Sequence, residues 1–541
     1  LAEKLNWSSL PNIPRAMVEF ALQNPAVMGL LGGDYRSRTV RRAALERRRK
    51  FAIPPGLGHI LREGYIDVGI TPEIEANLAA LEQPGALAIV TGQQAGLFGG
   101  PLFTFYKALT TIMLAQQLSA ETSAPVVPLF WMETADADFG EVNRAALPPV
   151  DDVPRRLVYT PDDMVSGKSV CLHTLRPEIT GLISRLREWL AELPYSRDYI
   201  AVLERAYKPG RRMTEAFREI MTKFFGSLGL ITLDARHPAL VARAAPFWEA
   251  ALERPLKLNQ AFAASSRQLT ELRLPWQVQL RDDALPVMHI AMDGIRRRLL
   301  GEQNNWRIGK DGPPFDDVEL KRLAREENAA LTPSALLRPL LQDFLLPTWI
   351  YVGGPAEIAY QAQIGLAYDL LNIPRPLVAP RLTATLIEHP TRRWLERQGW
   401  TVGEALGGRE LLLRKRGSSE ALSELFDNGT SHFEGWVKRI AQAAEDADIE
   451  LGLELDQAGR KINYQWNKLK AMALNKIARR DKTRVEHTDK LTARLLPDGV
   501  LQERHDSAVY YVAAYGPGFM NALMVEADAM TPQHLVIDLG E

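Results

Sequence analysis

Four acids fall within nine residues at Glu133, Asp136, Asp138 and Glu141. Carboxylates this close repel one another unless a cation, an amine or a metal-bound phosphate offsets them. The expected chemistry is magnesium or substrate-amine binding plus a general base, drawn from one or two of the four. Helix capping by Asp136 or Asp138 is the expected use of the rest. A second feature occurs twice. Ile89-Val90-Thr91-Gly92-Gln93-Gln94-Ala95-Gly96-Leu97-Phe98-Gly99-Gly100-Pro101 and Ile350-Tyr351-Val352-Gly353-Gly354-Pro355 each run from an apolar stretch through glycine into a Pro. Glycine lets the backbone approach a ligand, and Pro suits a first helical position. The amides of such a helix end favour anions. Two copies suggest one cleft for two anionic groups, a nucleotide phosphate and a carboxylate.

Around these turns stand the polar candidates. Thr91, Gly92, Gln93, Gln94, Gly96 and Gly100 form a cradle for a nucleotide or carboxylate. The loop is longer than a strand-to-helix connection needs. It is no Walker loop, because no Gly-Lys-Ser/Thr ends it. Ser166-Gly167-Lys168-Ser169 has that ending but lacks the upstream glycine and strand. Tyr106 and Tyr360 each lie five residues after their Pro, facing the cleft or the core. Lys107 can reach a phosphate. Glu357 either complements the helix dipole or binds an amine across the cleft, with Tyr351, Gly353 and Gly354 beside it. Asn143, Gln363 and Arg381 lie at element ends, where Arg381 can meet a carboxylate.

The elements that must position these residues alternate. Residues 1–85 read as mostly helical, and their basic run from Tyr35 to Lys50 reads as a solvated helix face. Leu87–Thr91 and Pro125–Met132 read as buried strands flanking a helix over Pro101–Leu118. Strand, helix, strand implies a right-handed crossover and a parallel sheet, whose ligands lie beyond the strands' carboxyl ends. The pattern divides the chain into a first core part at 1–150, a connecting insertion at 151–300 and a second core part at 301–387. A helical coiled-coil region at 388–495 and a return to the core at 496–541 complete it. Leu230–Leu233 reads as a short strand in the insertion, and Asp293-Gly294 as a hairpin turn within Pro286–Leu300. Leu345–Val352 and Pro376–Ala379 read as further strands. Phe433, Val437, Ile440 and Ala444, then Ile462, Trp466, Leu469 and Ala473, follow the 4-3-4 spacing of a coiled-coil seam. They imply an antiparallel hairpin or a dimer arm.

With 541 residues the chain exceeds one ordinary core. Lys and Arg total 65 against 66 Asp and Glu, a formal charge of -1, which argues against a dominant nucleic-acid role. One cysteine, Cys171, leaves no intrachain disulfide and fits a reducing cytoplasm. It reads as a small packing residue. No apolar run approaches membrane-spanning length, and the first residues lack a signal-peptide core. Scarce His, without HxxxH or CxxC spacing, gives no expectation of a protein-bound metal.

Taken together, the motifs resemble those of the bacillithiol-biosynthesis cysteine-adding enzymes. The resemblance rests on Thr91–Leu97 with Gly100-Pro101 and Tyr106-Lys107, and on Pro128–Trp131 through Asp138-Phe139 and Glu141. Leu337-Arg338-Pro339 with Gln342-Asp343, Tyr351–Tyr360, and Leu501-Gln502-Glu503-Arg504 extend it over most of the chain. Two positions depart from the family's commoner pattern: Ala137 in place of histidine and Ala356 in place of glycine. The resemblance implies a Rossmann-like α/β core with connecting insertions, a coiled-coil domain through which the chain forms a homodimer, and a distant kinship to class I aminoacyl-tRNA synthetases. It implies a ligase that joins the carboxyl of L-cysteine to the amine of glucosaminyl malate. ATP is the expected cosubstrate, with magnesium possible, and Asp138 or Glu133 the expected base. A nucleotide-binding coiled-coil scaffold and a synthetase-like enzyme remain as alternatives.

Overall fold

The computed structural model describes residues 3–150, 153–302, 304–414, 420–478 and 482–540. Two compact units form: Leu1–Ser8, Asn12–Glu388 and Gln502–Glu541 make one, and Ser9–Pro11 with His389–Leu501 the other. In chain order, the strands used below are β1 (Leu87–Gln94), β2 (Val126–Glu133), β3 (Ile231–Asp234), β4 (Ala284–Ile290), β5 (Arg296–Glu302), β6 (Thr348–Gly353), β7 (Leu377–Pro380), β8 (Thr383–Ile387) and β9 (His534–Asp538). The helices are α1 (Leu102–Ser119), α2 (Phe139–Val142), α3 (Arg338–Leu345), α4 (Pro355–Gln361), α5 (Glu420–Asp446), α6 (Gly452–Ala478) and α7 (Lys482–Leu495).

The first unit is built on a five-stranded sheet in the order β7-β6-β1-β2-β3, parallel throughout. Its strands are apolar without alternation because both faces are covered. On β2, Val127, Leu129 and Trp131 enter one core cluster, while Phe130 and Met132 enter the other. The short strand foreseen at Leu230–Leu233 is β3, the sheet's edge. The chain leaves β1 towards β2 and β3 and later returns on β1's other side as β6. The order therefore reverses between β1 and β6, and in such sheets a crevice opens at the carboxyl ends of that strand pair.

A second sheet of four antiparallel strands contains β4 and β5, joined where Gly294 takes a φ of +78°. A third sheet pairs β8 with β9 in parallel and brings the chain's last segment into this unit. Leu345 and Leu346, expected at the start of a strand, end α3 and its cap instead, and β6 begins at Thr348. In the second unit α5 and α6 form a helical hairpin. Trp466 packs edge-on to Phe426 with ring centroids 5.1 Å apart, donates from Nε1 to the Phe426 carbonyl at 3.0 Å, and closes over Gly429. Among the described residues no helix is long and apolar enough to cross a membrane.

Candidate active site

A cavity of about 400 Å³ lies at the β1/β6 switch point. The carboxyl end of β1 supplies Gly92, Gln93 and Gln94, the end of β2 supplies Glu133 and Asp136, and α4's start supplies Gly354, Pro355, Ala356 and Glu357. Of the residues singled out in the sequence, these three of β1, Lys107, Glu133, Asp136, Glu141, Gly354, Glu357, Tyr360 and Arg381 meet here.

The floor is an ionic network. Lys107, 2% exposed, spends its three protons on the Gly92 carbonyl (2.6 Å), Gln93 Oε1 (2.8 Å) and Glu357 Oε2 (2.6 Å). Glu357 also accepts from the Tyr351 hydroxyl at 2.6 Å and from the Gly354 amide at 2.7 Å. Burial pushes the Glu357 carboxyl up, but the Lys107 ammonium and these hydrogen bonds outweigh it and hold it below the usual range. Arg338 on α3 donates to the Tyr351 and Tyr360 hydroxyls at 3.3 and 3.1 Å and to Gln342 Oε1 at 3.0 Å. Arg381 forms a buried pair with Glu503 at 2.7 Å. The two cations foreseen as anion binders, Lys107 and Arg381, are thus held by carboxylates of the protein.

Several expectations change with the geometry. Only the second Gly-Gly-Pro turn opens on the cavity. Strand β1 runs on to Gln94, so the glycine-rich loop is shorter than its sequence suggests. Gly96, Gly99 and Gly100 turn into the core instead. A Cβ on Gly96 would stand 2.7 Å from the Gly100 Cα, the Leu102 amide donates to the Asp506 carbonyl at 2.8 Å, and Phe98 packs edge-on to Tyr207. Gly96 and Gly100 therefore shape a packed turn. Thr91 is buried and bonds the Val352 carbonyl at 2.8 Å, tying β1 to β6. Tyr106 is buried away from the cavity, with its hydroxyl unpartnered among the described residues. Asn143 donates to the Tyr159 carbonyl at 3.0 Å and so clamps a hairpin. Tyr351 and Gly353 lie just beneath the lining. Asp138 is the N-cap of α2, accepting from the Glu141 amide at 3.2 Å, and does not line the cavity.

The acidic wall is what remains. Asp136 accepts from Gln94 Nε2 at 2.6 Å and from Arg296 at 2.8 Å. Glu133 accepts from Trp131 Nε1 at 3.0 Å and from the Ala135 amide at 3.2 Å, and burial raises its carboxyl above the usual range. Glu141 faces the cavity beside them. The cavity is also lined by Arg298, which sequence reasoning missed, and by Arg504, which the sequence shows only as part of the family motif; neither donates a hydrogen bond or forms an ion pair to a described residue. The signal for Arg298 is legible. In Arg296-Arg297-Arg298 the strand's period of two sends Arg296 and Arg298 to one face and Arg297 to the other, where Arg297 pairs with Asp293 at 2.5 Å. Among the described residues no cluster of His, Cys, Asp and Glu is placed to hold a metal.

Residues 9–382 match the N-terminal Rossmann-like domain of the bacillithiol biosynthesis protein BshC, and residues 384–539 its C-terminal coiled-coil domain. The chain belongs to the BshC family. BshC relatives named "Putative cysteine ligase BshC" include one from Salinibacter ruber, 29% identical over 98% of this chain and 97% of that one. Those from Solibacter usitatus and Symbiobacterium thermophilum are 32% and 31% identical, covering 82% and 83% of this chain and 83% of each of theirs. A BshC-type architecture accounts for both units: a Rossmann-like parallel core that carries the cavity, and a coiled-coil hairpin.

Proposed function

We propose that this chain joins the carboxyl of L-cysteine to the amine of glucosaminyl malate, the last step of bacillithiol biosynthesis, with ATP activating the carboxyl. The observation that carries this reading is one cavity lined both by carboxylates and by two guanidinia that pair with no described residue. Glu133, Asp136 and Glu141 suit an ammonium group. Arg298 and Arg504 hold free donors in the fork geometry that carboxylates and phosphates accept. A substrate that carries one amine and two malate carboxylates matches that lining. ATP brings further anionic oxygens, for which guanidinia are the fitting donors, and it supplies the leaving group that a free carboxylate lacks. Magnesium would arrive with the nucleotide. The reaction is placed in the cytoplasm, the compartment of ATP, and a homodimer through the coiled coil is part of the reading.

Incubating the protein with cysteine, ATP and glucosaminyl malate, and following the thiol product with AMP or ADP by mass, tests it. The expected result is one product thiol per nucleotide cleaved, with AMP or ADP naming the activation route. Saturable binding of all three compounds without product would overturn the ligase reading in favour of a nucleotide-binding scaffold.

A further inference from the structure

The four clustered acids differ in what already occupies them. Asp138 is committed to capping α2. Asp136 is held by Arg296, by the Gln94 amide and by the Ala137 amide at 2.7 Å. Both oxygens of Glu133 accept hydrogen bonds from the protein. Glu141, in the first turn of α2, lines the cavity, is exposed towards it and enters no ion pair with a described residue. Its one neighbouring side-chain donor is the Gln94 amide, which it shares with Asp136.

Resting on the ligase reading above, we infer that Glu141 is the catalytic group that takes the proton from the attacking amine. The substrate ammonium gives one proton to the Glu141 carboxylate and becomes a neutral amine. Its nitrogen lone pair attacks the activated cysteine carbonyl and forms the C–N bond. The acyl C–O bond breaks, and its electron pair leaves with the phosphate or AMP that ATP supplied. The amide nitrogen sheds its second proton to that leaving group or to water. The charges facing Glu141 are Asp136 from the β2 end, Asp138 from its own helix start and Lys107 from α1; Arg144 turns away to the Gly140 carbonyl at 2.7 Å. Partial burial in the cavity lining raises the carboxyl above the usual glutamate range, Asp136 and Asp138 add to the rise, and Gln94 and Lys107 oppose it. A base whose pKa lies nearer the working pH transfers protons more effectively.

The carboxylate is the active form, so kcat falls as pH drops through the raised value, at a higher pH than an ordinary glutamate near ~4.3 would give. Glu141→Gln should lower kcat by about 10²–10⁴-fold, change KM for glucosaminyl malate less than about threefold, and erase the acid limb. Glu141→Asp should restore part of the rate. Asp138→Asn should keep forming product while its acid limb moves to lower pH, because one neighbouring negative charge is gone. Thermal unfolding of each variant separates loss of fold from loss of chemistry. A Glu141→Gln enzyme that keeps kcat within about threefold, or that keeps the acid limb, would overturn the inference with the ligase reading intact. No product from the unaltered protein would overturn that reading first, and the inference with it.

Discussion

At the scale of single residues, the site is governed by which charges are already spent. Lys107 and Glu357 form a pair whose removal from water is costly, so each tolerates the other's presence better than its absence. Lys107→Met should destabilise the fold by about 3 kcal/mol, the lower end for a broken buried pair because the Glu357 side chain keeps some access to the cavity. Lys107→Met combined with Glu357→Leu should cost less than the two single changes added together, as read by urea unfolding. Strict additivity would mean that the two charges do not act as a pair. The sequence made Lys107, Glu357 and Arg381 legible as site residues from their places beside the turns. It left their partners hidden, because Gln93, Tyr351 and Glu503 reach them only through the fold. Asp138, immediately before a helix, reads equally as a base or a cap, and its hydrogen bond to the Glu141 amide shows the cap.

At the scale of elements, the two glycine turns that look alike in sequence do different work. The one before α4 borders the cavity, whereas the one before α1 is fixed by close backbone contact. Gly96→Ala would drive a Cβ into the Gly100 Cα at 2.7 Å. A backbone clash of this kind should cost on the order of 1–3 kcal/mol. Calorimetry should show a lower Tm, with KM for ATP unchanged in the folded enzyme; a raised KM at unchanged Tm would return this turn to nucleotide binding. The strands of the parallel sheet were legible because burial on both faces leaves continuous apolar runs such as Pro125–Met132. The length of β1 was not, since Gly92, Gln93 and Gln94 carry the composition of a loop and extend as strand only because β2 pairs with them residue for residue. The strand-borne arginines obey the period of two that the basic run Arg296–Arg298 displays.

At the scale of the whole molecule, the sheet order and the helical hairpin account for the two family domains. The seam residues Phe433, Val437, Ala444, Trp466 and Ala473 are at least partly sheltered within the hairpin, but Ile440, Ile462 and Leu469 are not. Trp436 is 60% exposed and Leu469 51%. Apolar residues repeated along a two-helix arm suit a second copy. Analytical ultracentrifugation should give a dimer that Trp436→Asp with Leu469→Glu converts to monomer; an unaltered dimer would place the contact elsewhere. The central claim is that, in one cavity at the switch point, Arg298 and Arg504 bind the anionic groups of the substrates. Its most direct measurement is the KM for glucosaminyl malate in Arg298→Ala, Arg504→Ala and, as control, Arg297→Ala, whose side chain points to the other face of β5. Losing one charge-assisted contact of about 1.5–3 kcal/mol should raise KM by roughly 10–150-fold in the first two. The control should stay within about twofold. Equal effects at Arg297 and Arg298, or no effect at either cavity arginine, would contradict the account.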